Sequence, residues 1–256
     1  MAGEVRILYE DNHIVGVLKP GGLLTQGDRT GDDTVLAMTK RYIKRKYRKP
    51  GNVYLGLVHR IDRPVSGVLL LARTSKAASR LSREFHDRRV EKTYLAVVIG
   101  HIAGRRGELV DYITRSHNRS RTARPRETTS DRPLSERGKR SAKAAVLTYT
   151  VLTRRDSMTL LEIVPATGRH HQIRVQLSAV EHPVVGDLKY GAGEPLPDKT
   201  IALHAARLRV RHPVNDEVIT LEAAPPDGYP WRRFRATIES YFGRGGRERR
   251  RVHRPD

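Results

Sequence analysis

The chain has 256 residues, enough for one large domain or two small ones, and its 49 Lys and Arg residues against 28 acidic ones give a net charge of +21. A charge this positive indicates a polyanionic partner, of which nucleic acid is the commonest. The absence of cysteine excludes disulfides, thiolate zinc sites and cysteine nucleophiles, and without a signal-peptide core or an apolar run of roughly 18 residues we expect a cytoplasmic protein with no membrane segment.

Two short β-type runs open the chain, and a basic helix follows them. The runs cover residues 5–8 and 14–18, and a Pro-Gly-Gly turn comes after the second. The helix is predicted to begin near Thr34, with Asp32 or Asp33 as its cap. Its outer face carries four cations, which could form a solvated surface or one that faces RNA: Lys40, Arg41, Lys44 and Arg45.

The next segment is predicted as strand, turn, strand, helix and strand. The first strand covers residues 57–62, and a fully apolar strand covers residues 68–72 after a Pro-Gly turn. Ser75 is the expected cap of the second helix. A further strand is predicted over residues 93–99.

The second half is predicted as a long basic loop, then four strands around a helix, then a tail. Residues 104–143 are rich in Arg, Gly, Ser, Thr and Pro, so we expect a loop there, with a short hairpin near residues 108–114. A helix should follow Thr167-Gly168, and residues 243–256 should form a disordered basic tail. The strands are predicted at residues 144–152, 159–164, 201–210 and 218–223.

The order of these elements predicts the fold class. Strands are many, helices are few, and the two do not alternate strictly. We therefore expect an α+β domain over residues 1–242, with a largely antiparallel mixed sheet, flanking helices and long basic loops.

One segment, HRIDRPVSG at residues 59–67, places a carboxylate beside cations just before a turn. If the backbone there is extended, Arg60 and Asp62 share one face and His59 and Ile61 the other. Catalytic groups often sit on loops held by such a scaffold. Solvated ion pairs of this kind are also common, so the spacing alone leaves both interpretations open.

Two other features are weaker signals when taken alone. The segment PATGRHHQIR at residues 165–174 holds two adjacent histidines, but neighbours on a helix point about 100° apart, which opposes a shared zinc ion. Tyr94 lies in a predicted strand, where a lone tyrosine is ordinarily a packing residue.

Four segments, taken together, resemble the RluA-type pseudouridine synthase family. They occur in the family's order and, with the opening strands, cover roughly residues 5–240: HRIDRPVSGVLLLART, VEKTYLAVVIG, PATGRHHQIRVQLSAVEHPVVGDLKYG and ALHAARLRVRHP. The resemblance implies the family's catalytic fold and an isomerase that converts uridines of ribosomal or transfer RNA to pseudouridine. The reaction requires no redox change and no group donor, so we expect no cofactor, no metal and no obligatory protein partner.

The resemblance also implies roles for named residues. Asp62 would be the catalytic carboxylate, paired with Arg174 or, less favourably, with Arg169. Tyr94 would lie against the uracil, hold it by stacking and assist the final proton removal. The remaining positions that it implies for contact with the RNA substrate are His59, Arg60, Arg169, His171 and Leu203.

Two other functions compete with this hypothesis. Charge and basic loops would suffice for a non-catalytic RNA-binding protein, which would not need Asp62. A hydrolase could use Ser66, His59 and Asp62, although the chain has no nucleophile-elbow pattern.

Overall fold

One mixed sheet of eleven strands organises the part of the chain that the computed structural model describes, namely residues 5–27, 31–116, 119–123 and 142–249. The strands are β1 (Arg6–Glu10), β2 (Ile14–Lys19), β3 (Gly56–Leu57), β4 (Ser66–Ala72), β5 (Glu91–Ile99), β6 (Arg106–Ser116), β7 (Arg119–Ala123), β8 (Lys143–Arg155), β9 (Met158–Pro165), β10 (Leu203–Arg211) and β11 (Val218–Glu222). The helices are α1 (Val35–Lys46), α2 (Ser75–His86), α3 (Gln172–Ala179) and α4 (Arg235–Arg249). Within these ranges, no helix has the length and apolar character that a membrane crossing requires.

The strand order confirms the prediction of a largely antiparallel α+β fold. Along the sheet the strands run β1-β2-β4-β10-β5-β9-β8-β6-β7, while β3 pairs with β4 and β11 pairs with β10. Among the described strands, β10 and β4 form the one parallel pair. Because β10 comes late in the sequence and lies between β4 and β5, it joins the two halves of the sheet.

Strand β4 is apolar along its whole length because both faces of the sheet are covered at this point. Leu69 and Leu71 belong to the main hydrophobic core, whereas Val68 and Leu70 belong to a second core beneath α2. Alternate side chains of a strand point to opposite faces, so a strand covered on both faces has an unbroken apolar sequence. Full burial stabilises the fold by about 1.5–3 kcal/mol for each such side chain.

The predicted strand over residues 57–62 is wrong beyond Leu57, where β3 ends. The polar groups of the following segment are satisfied by side chains instead of by a neighbouring strand. The hydroxyl of Thr25 donates to Ile61 O at 2.8 Å, and His59 Nε2 accepts from Leu70 N at 2.9 Å. Asp62 therefore lies in a supported loop and not at the end of a strand.

Both predicted helix caps differ from the structure by one or two residues. Thr34 caps α1 and Thr74 caps α2, and each hydroxyl accepts a hydrogen bond from the backbone N–H three residues later, at 3.1 Å. Asp33 instead accepts from the backbone N–H of Thr34. Ser75 is the first helical residue of α2. Threonine hydroxyls are short acceptors suited to this position, so both caps follow the usual chemistry.

The predicted loop over residues 104–143 is also wrong for its first part. Strand β6 is eleven residues long and forms a hairpin with β7, and it pairs with β8 over residues 106–113. This segment has few large apolar residues because it lies at the sheet edge and buries only part of its side chains, among them Asp111 and Ile113. Residues 124–141 lie outside the described residues.

Two further boundaries differ from the prediction. Helix α3 begins at Gln172, because His171 before it has a left-handed backbone with φ of 54°. The segment predicted as a disordered tail begins inside α4, which runs to Arg249, while residues 250–256 lie outside the described residues.

We predict that Gly67→Ala destabilises the fold by about 2–5 kcal/mol, because it combines overpacking with backbone strain. Gly67 has φ of +130°, and a Cβ there would come within 2.4 Å of the backbone N and O of Ala205, where β4 meets β10. Gly193→Ala is the matched control, since no atom lies within 4 Å of an added Cβ. Urea unfolding measures both, and equal stabilities of the two variants would contradict the close approach of β4 and β10.

Candidate active site

A cleft of about 650 Å³ opens where the loop after β3 meets the start of β5 and the segment before α3. Both polar and apolar side chains line this cleft. All eight site residues predicted from the sequence line it: His59, Arg60, Asp62, Tyr94, Arg169, His171, Arg174 and Leu203.

Two carboxylates hold one buried guanidinium at the base of this cleft. Arg174, in the first turn of α3, is only 4% exposed and donates from Nη1 to Asp62 Oδ2 at 3.1 Å. Its Nε and Nη2 donate to the two carboxylate oxygens of Asp187, at 2.7 and 2.8 Å. Burial opposes the charge, but the hydrogen bonds and charge of Asp187, followed by the charge of Asp62, outweigh burial and raise the pKa of Arg174. A bidentate pair of this kind also fixes the orientation of the guanidinium plane.

A buried lysine supports the loop that carries Asp62. Lys19 Nζ donates to three backbone carbonyls, those of Pro20, Leu23 and Arg63, at 2.9, 2.7 and 3.1 Å. Burial, together with the nearby Arg63 and against the opposing effect of Asp62, lowers the pKa of Lys19 to about 7. Together with the hydrogen bond from Thr25 to Ile61 O, the contact to Arg63 O fixes the backbone on both sides of Asp62.

Tyr94 lies in β5, a central strand, opposite Ala205 of β10 and Ile163 of β9. Burial, and then the charge of Asp62, raises the pKa of its hydroxyl to about 12, so the hydroxyl is protonated at neutral pH. Leu203 at the start of β10 is buried, 3% exposed, and adds an apolar wall. The cleft thus has an aromatic ring and an aliphatic side chain near its carboxylate.

His59 and Arg60, next to each other in the sequence, have different environments. His59 accepts from the backbone of Leu70 and stacks on Phe85 with ring centroids 4.6 Å apart. Burial, and then the charge of Lys92, lowers the pKa of His59 to about 3, so its ring is neutral. Arg60 is exposed along the cleft.

The two candidate arginines have different partners. Arg169 donates from Nε to Ala144 O at 3.0 Å, and its backbone N–H donates to the side chain of Gln172. Gln172 also accepts from the hydroxyl of Thr167 at 2.7 Å, so side-chain hydrogen bonds shape the turn before α3. The contact to Asp62 is made by Arg174.

The adjacent histidines each contact a different protein group. Their rings stack with centroids 3.7 Å apart. His170 Nδ1 lies 3.0 Å from the Ser120 hydroxyl of β7, and His171 Nδ1 lies 2.8 Å from the Tyr190 hydroxyl. His171 Nε2 is 3.6 Å from Asp62 Oδ2. Burial, and then Arg174 against the opposing charge of Asp62, lowers the pKa of His171 to about 3.

The geometry does not support the hydrolase alternative. The hydroxyl of Ser66 is buried and lies 2.8 Å from His204 Nδ1, and not beside His59. His204 is held in turn by the carbonyl of Ala223 at 2.9 Å. These residues join β4 and β10, and Ser66 has no access to the cleft as a nucleophile.

Sequence reasoning did not identify three residues that build this site: Lys19, Asp187 and Tyr190. Lys19 directly precedes the Pro-Gly-Gly turn, and the other two lie in the segment GDLKYG, where no apolar periodicity marks either side chain as buried. A buried charged residue can be predicted from a sequence only when the residue that pairs with it is known.

The assembled site holds a carboxylate by one cation beside an aromatic ring. This arrangement suits the stabilisation of an electron-poor carbon next to a flat base.

Comparisons with known proteins agree on one family. The sequence model of the family described as RNA pseudouridylate synthase matches residues 13–179. The chain is 31% identical over 227 residues to the RNA pseudouridine synthase YhcT of Bacillus subtilis, covering 88% of this chain and 70% of that protein. It is 32% identical over 254 residues to tRNA pseudouridine synthase C of Yersinia pestis, covering 94% and 92%.

Other relatives are named for a different RNA, and solved structures share the fold. Ribosomal large subunit pseudouridine synthase C of Rickettsia bellii is 32% identical over 222 residues, covering 86% of this chain and 68% of that protein. The structure of human RNA Pseudouridylate Synthase Domain Containing 4 superposes with a TM-score of 0.73 at 25% identity, covering 92% of each chain. Human RNA Pseudouridylate Synthase Domain Containing 1 gives 0.67 at 28% identity, covering 89% and 86%.

We predict that Asp187→Asn lowers the free energy of unfolding by about 3–5 kcal/mol, because it leaves the buried Arg174 short of one charge and facing an amide N–H₂. Asp227→Asn is the matched control, since Asp227 pairs with Arg235 on the surface, and an exposed pair contributes less than about 1 kcal/mol. Urea unfolding of both variants provides the measurement. A loss at Asp187 no greater than that at Asp227 would show that the buried pair is not the anchor of the site.

Proposed function

We propose that Asp62 is the catalytic carboxylate of this chain, which belongs to the RNA pseudouridylate synthase family and converts uridine in RNA to pseudouridine. The observation that carries the proposal is the contact of Asp62 with the buried Arg174 at 3.1 Å, inside the cleft. The other residues that we assign to the reaction, Tyr94 and Arg174, line the same cleft.

The reaction places a specific demand on Asp62. The bond between the sugar carbon and the ring nitrogen breaks, the uracil turns, and a new bond joins the same sugar carbon to a ring carbon. The proton of that ring carbon leaves, and the ring nitrogen gains one, so the atoms balance without a donor or a cofactor. While the base is detached, the sugar carbon is electron-poor, and a carboxylate can stabilise it, trap it covalently or take a proton from the sugar.

The surroundings of Asp62 support this role. Arg174 holds one carboxylate oxygen, which keeps the side chain in one orientation for reaction. Tyr94 offers a face on which a detached uracil can stack, and stacking tolerates rotation of the base better than fixed hydrogen bonds do. The apolar Leu203 completes the wall for the base.

RNA must also deliver the uridine into the cleft. The target base has to leave its stack to reach Asp62, and we assign Arg60, exposed along the cleft, to the space that the base vacates. Arg169, His59 and His171 complete the proposed contacts with the substrate. Phosphates elsewhere would be bound by basic side chains such as the exposed Lys44 of α1.

One of the relatives is named for transfer RNA and another for the ribosomal large subunit. We propose that this chain modifies transfer RNA or large-subunit ribosomal RNA, in the cytoplasm, and without a metal or a protein partner. Mapping of pseudouridines in total RNA with and without the gene tests the target, and assay with a chelator present tests the metal. Sites lost only from messenger RNA, or activity that disappears with the chelator and returns with zinc, would count against these proposals.

We predict that Asp62→Asn is folded, binds RNA and loses at least about 1,000-fold in single-turnover rate, equivalent to about 4 kcal/mol. Asn nearly preserves the shape of the side chain but can neither trap an electron-poor carbon nor act as a carboxylate base. Binding should persist because phosphate contacts supply most of the affinity. The measurements are conversion at saturating RNA, circular dichroism and a binding titration, with Asp227→Asn as a control for loss of a surface carboxylate. A folded variant that keeps a tenth of the wild-type rate would remove Asp62 from its role and restore the non-catalytic alternative.

We predict that Arg174→Lys lowers the single-turnover rate by at least about 100-fold, because an ammonium cannot hold two carboxylates with the planar geometry of a guanidinium. Arg169→Lys is the matched change, and its effect should be smaller than about tenfold, since Arg169 contacts a backbone carbonyl and not Asp62. Unfolding curves separate lost stability from lost chemistry. The reverse ranking of the two variants would exchange the roles of the two arginines.

A further inference from the structure

The hydroxyl of Tyr190 connects the β6–β7 hairpin to the cleft. Tyr190 is buried, 7% exposed, and its hydroxyl accepts from the backbone N–H of Ser120 in β7 at 3.0 Å. The same hydroxyl lies 2.8 Å from Nδ1 of His171. Tyr190 thus touches the histidine whose other ring nitrogen faces Asp62.

These two contacts determine where the hydroxyl proton goes. A phenol has one proton to donate, and the N–H of Ser120 already occupies one of its lone pairs. Within the described residues, His171 Nδ1 is the acceptor within reach of this buried hydroxyl. For the phenol to donate to it, Nδ1 has to be unprotonated, and a neutral imidazole with an unprotonated Nδ1 carries its proton on Nε2.

The histidine is also held in place and kept neutral. The ring of His170 stacks on it at 3.7 Å, and Tyr190 meets it edge-on with centroids 5.6 Å apart. Burial, and then the charge of Arg174, lowers the pKa of His171 to about 3, so the ring stays neutral over the pH range of an enzyme assay. A ring clamped on two sides cannot exchange its nitrogens by turning over without displacing a neighbour.

We propose that Tyr190 is a positioning residue that fixes His171 with its proton on Nε2, so that this N–H faces the Asp62 oxygen that Arg174 binds. The proposal rests on the proposed role of Asp62 and deepens it. Nε2 lies 3.6 Å from Asp62 Oδ2, and a shift of about 0.5 Å would bring it to hydrogen-bond distance. His171 adds an uncharged donor, so that Asp62 gains orientation without a second opposing charge.

In this arrangement the two carboxylate oxygens of Asp62 have different surroundings. Oδ2 contacts Arg174 at 3.1 Å and faces His171. Oδ1 has no hydrogen bond to any residue in the described part of the chain, and the side chain remains 30% exposed. Oδ1 is therefore the oxygen that meets the electron-poor sugar carbon, or that takes a proton from the sugar. Tyr190 supports both partners of Oδ2, since the guanidinium of Arg174 also lies over its ring at 5.1 Å.

The tautomer can be measured directly in the wild-type protein. Nitrogen NMR of isotope-labelled histidine should show His171 with Nδ1 unprotonated and Nε2 protonated, and loss of the signal in His171→Gln assigns it. Tyr190→Phe should move the proton partly to Nδ1. Conversion at saturating RNA should fall about tenfold in Tyr190→Phe, while RNA affinity stays within about twofold of wild type. Tyr241→Phe is the matched control, because it also removes a hydroxyl with a protein acceptor, Glu162, away from the cleft.

A double-mutant cycle separates positioning from a structural effect on the hairpin. In His171→Gln, the side-chain amide supplies an N–H donor in place of Nε2–H and has no tautomers. In this background, Tyr190→Phe should have no further effect on the rate of conversion at saturating RNA. A proton on Nδ1 in the wild-type protein would overturn the proposal, and so would a Tyr190→Phe effect that persists beside His171→Gln. If the wild-type protein converts no uridine, the proposed function fails while the tautomer measurement still decides the role of Tyr190.

Discussion

The site depends on one guanidinium buried between two carboxylates. A buried Arg174 without Asp187 would lack compensation for its lost hydration, and Asp62 would lose the donor that fixes its orientation. Asp187 is 1% exposed and does not line the cleft, so its function is to compensate the buried charge of Arg174 and to orient the guanidinium plane toward the cleft. Asp62, Arg174 and Asp187 together carry two negative charges and one positive charge. The net negative charge is available to stabilise an electron-poor carbon in the cleft.

The sheet serves this trio by bringing distant segments together. Gly67 lets β4 approach the backbone of β10, and the loop before β4 carries Asp62. Lys19, at the end of β2, supports that loop through backbone carbonyls, so the side chain of Asp62 is left free for contacts in the cleft. The two halves of the sheet therefore have different roles. The half that contains β2 and β4 positions the carboxylate of Asp62, and the half that contains β9 leads into α3, which carries Arg174.

Much of this could be predicted from the sequence, because apolar runs and periodicity report burial directly. The strands of the core, the helix at α2 and the antiparallel character of the sheet follow from such patterns. The segment after β3 could not be predicted, because its backbone is satisfied by Thr25 and by a ring nitrogen of His59, neither of which leaves a periodic signal. The hairpin β6–β7 was predicted only as a short hairpin within a loop, because strands near the sheet edge bury few side chains and so leave a weak apolar pattern. Asp62 and Arg174 were found through motif resemblance, whereas Asp187 and Tyr190 act through partners that only the folded chain brings near them.

The position of β10 has a consequence for the order in which the chain can fold during synthesis. Asp62 and Arg174 are 112 residues apart, and β10, which follows both, fills the space between β4 and β5. An emerging chain that stops before Leu203 cannot close the middle of its sheet, so β4 and β5 lack the strand that sets their separation. Because the entropy of loop closure over such distances must be lost before the contacts form, we expect the site to assemble late. We therefore expect this chain to become able to act on RNA only after β10 has been synthesised.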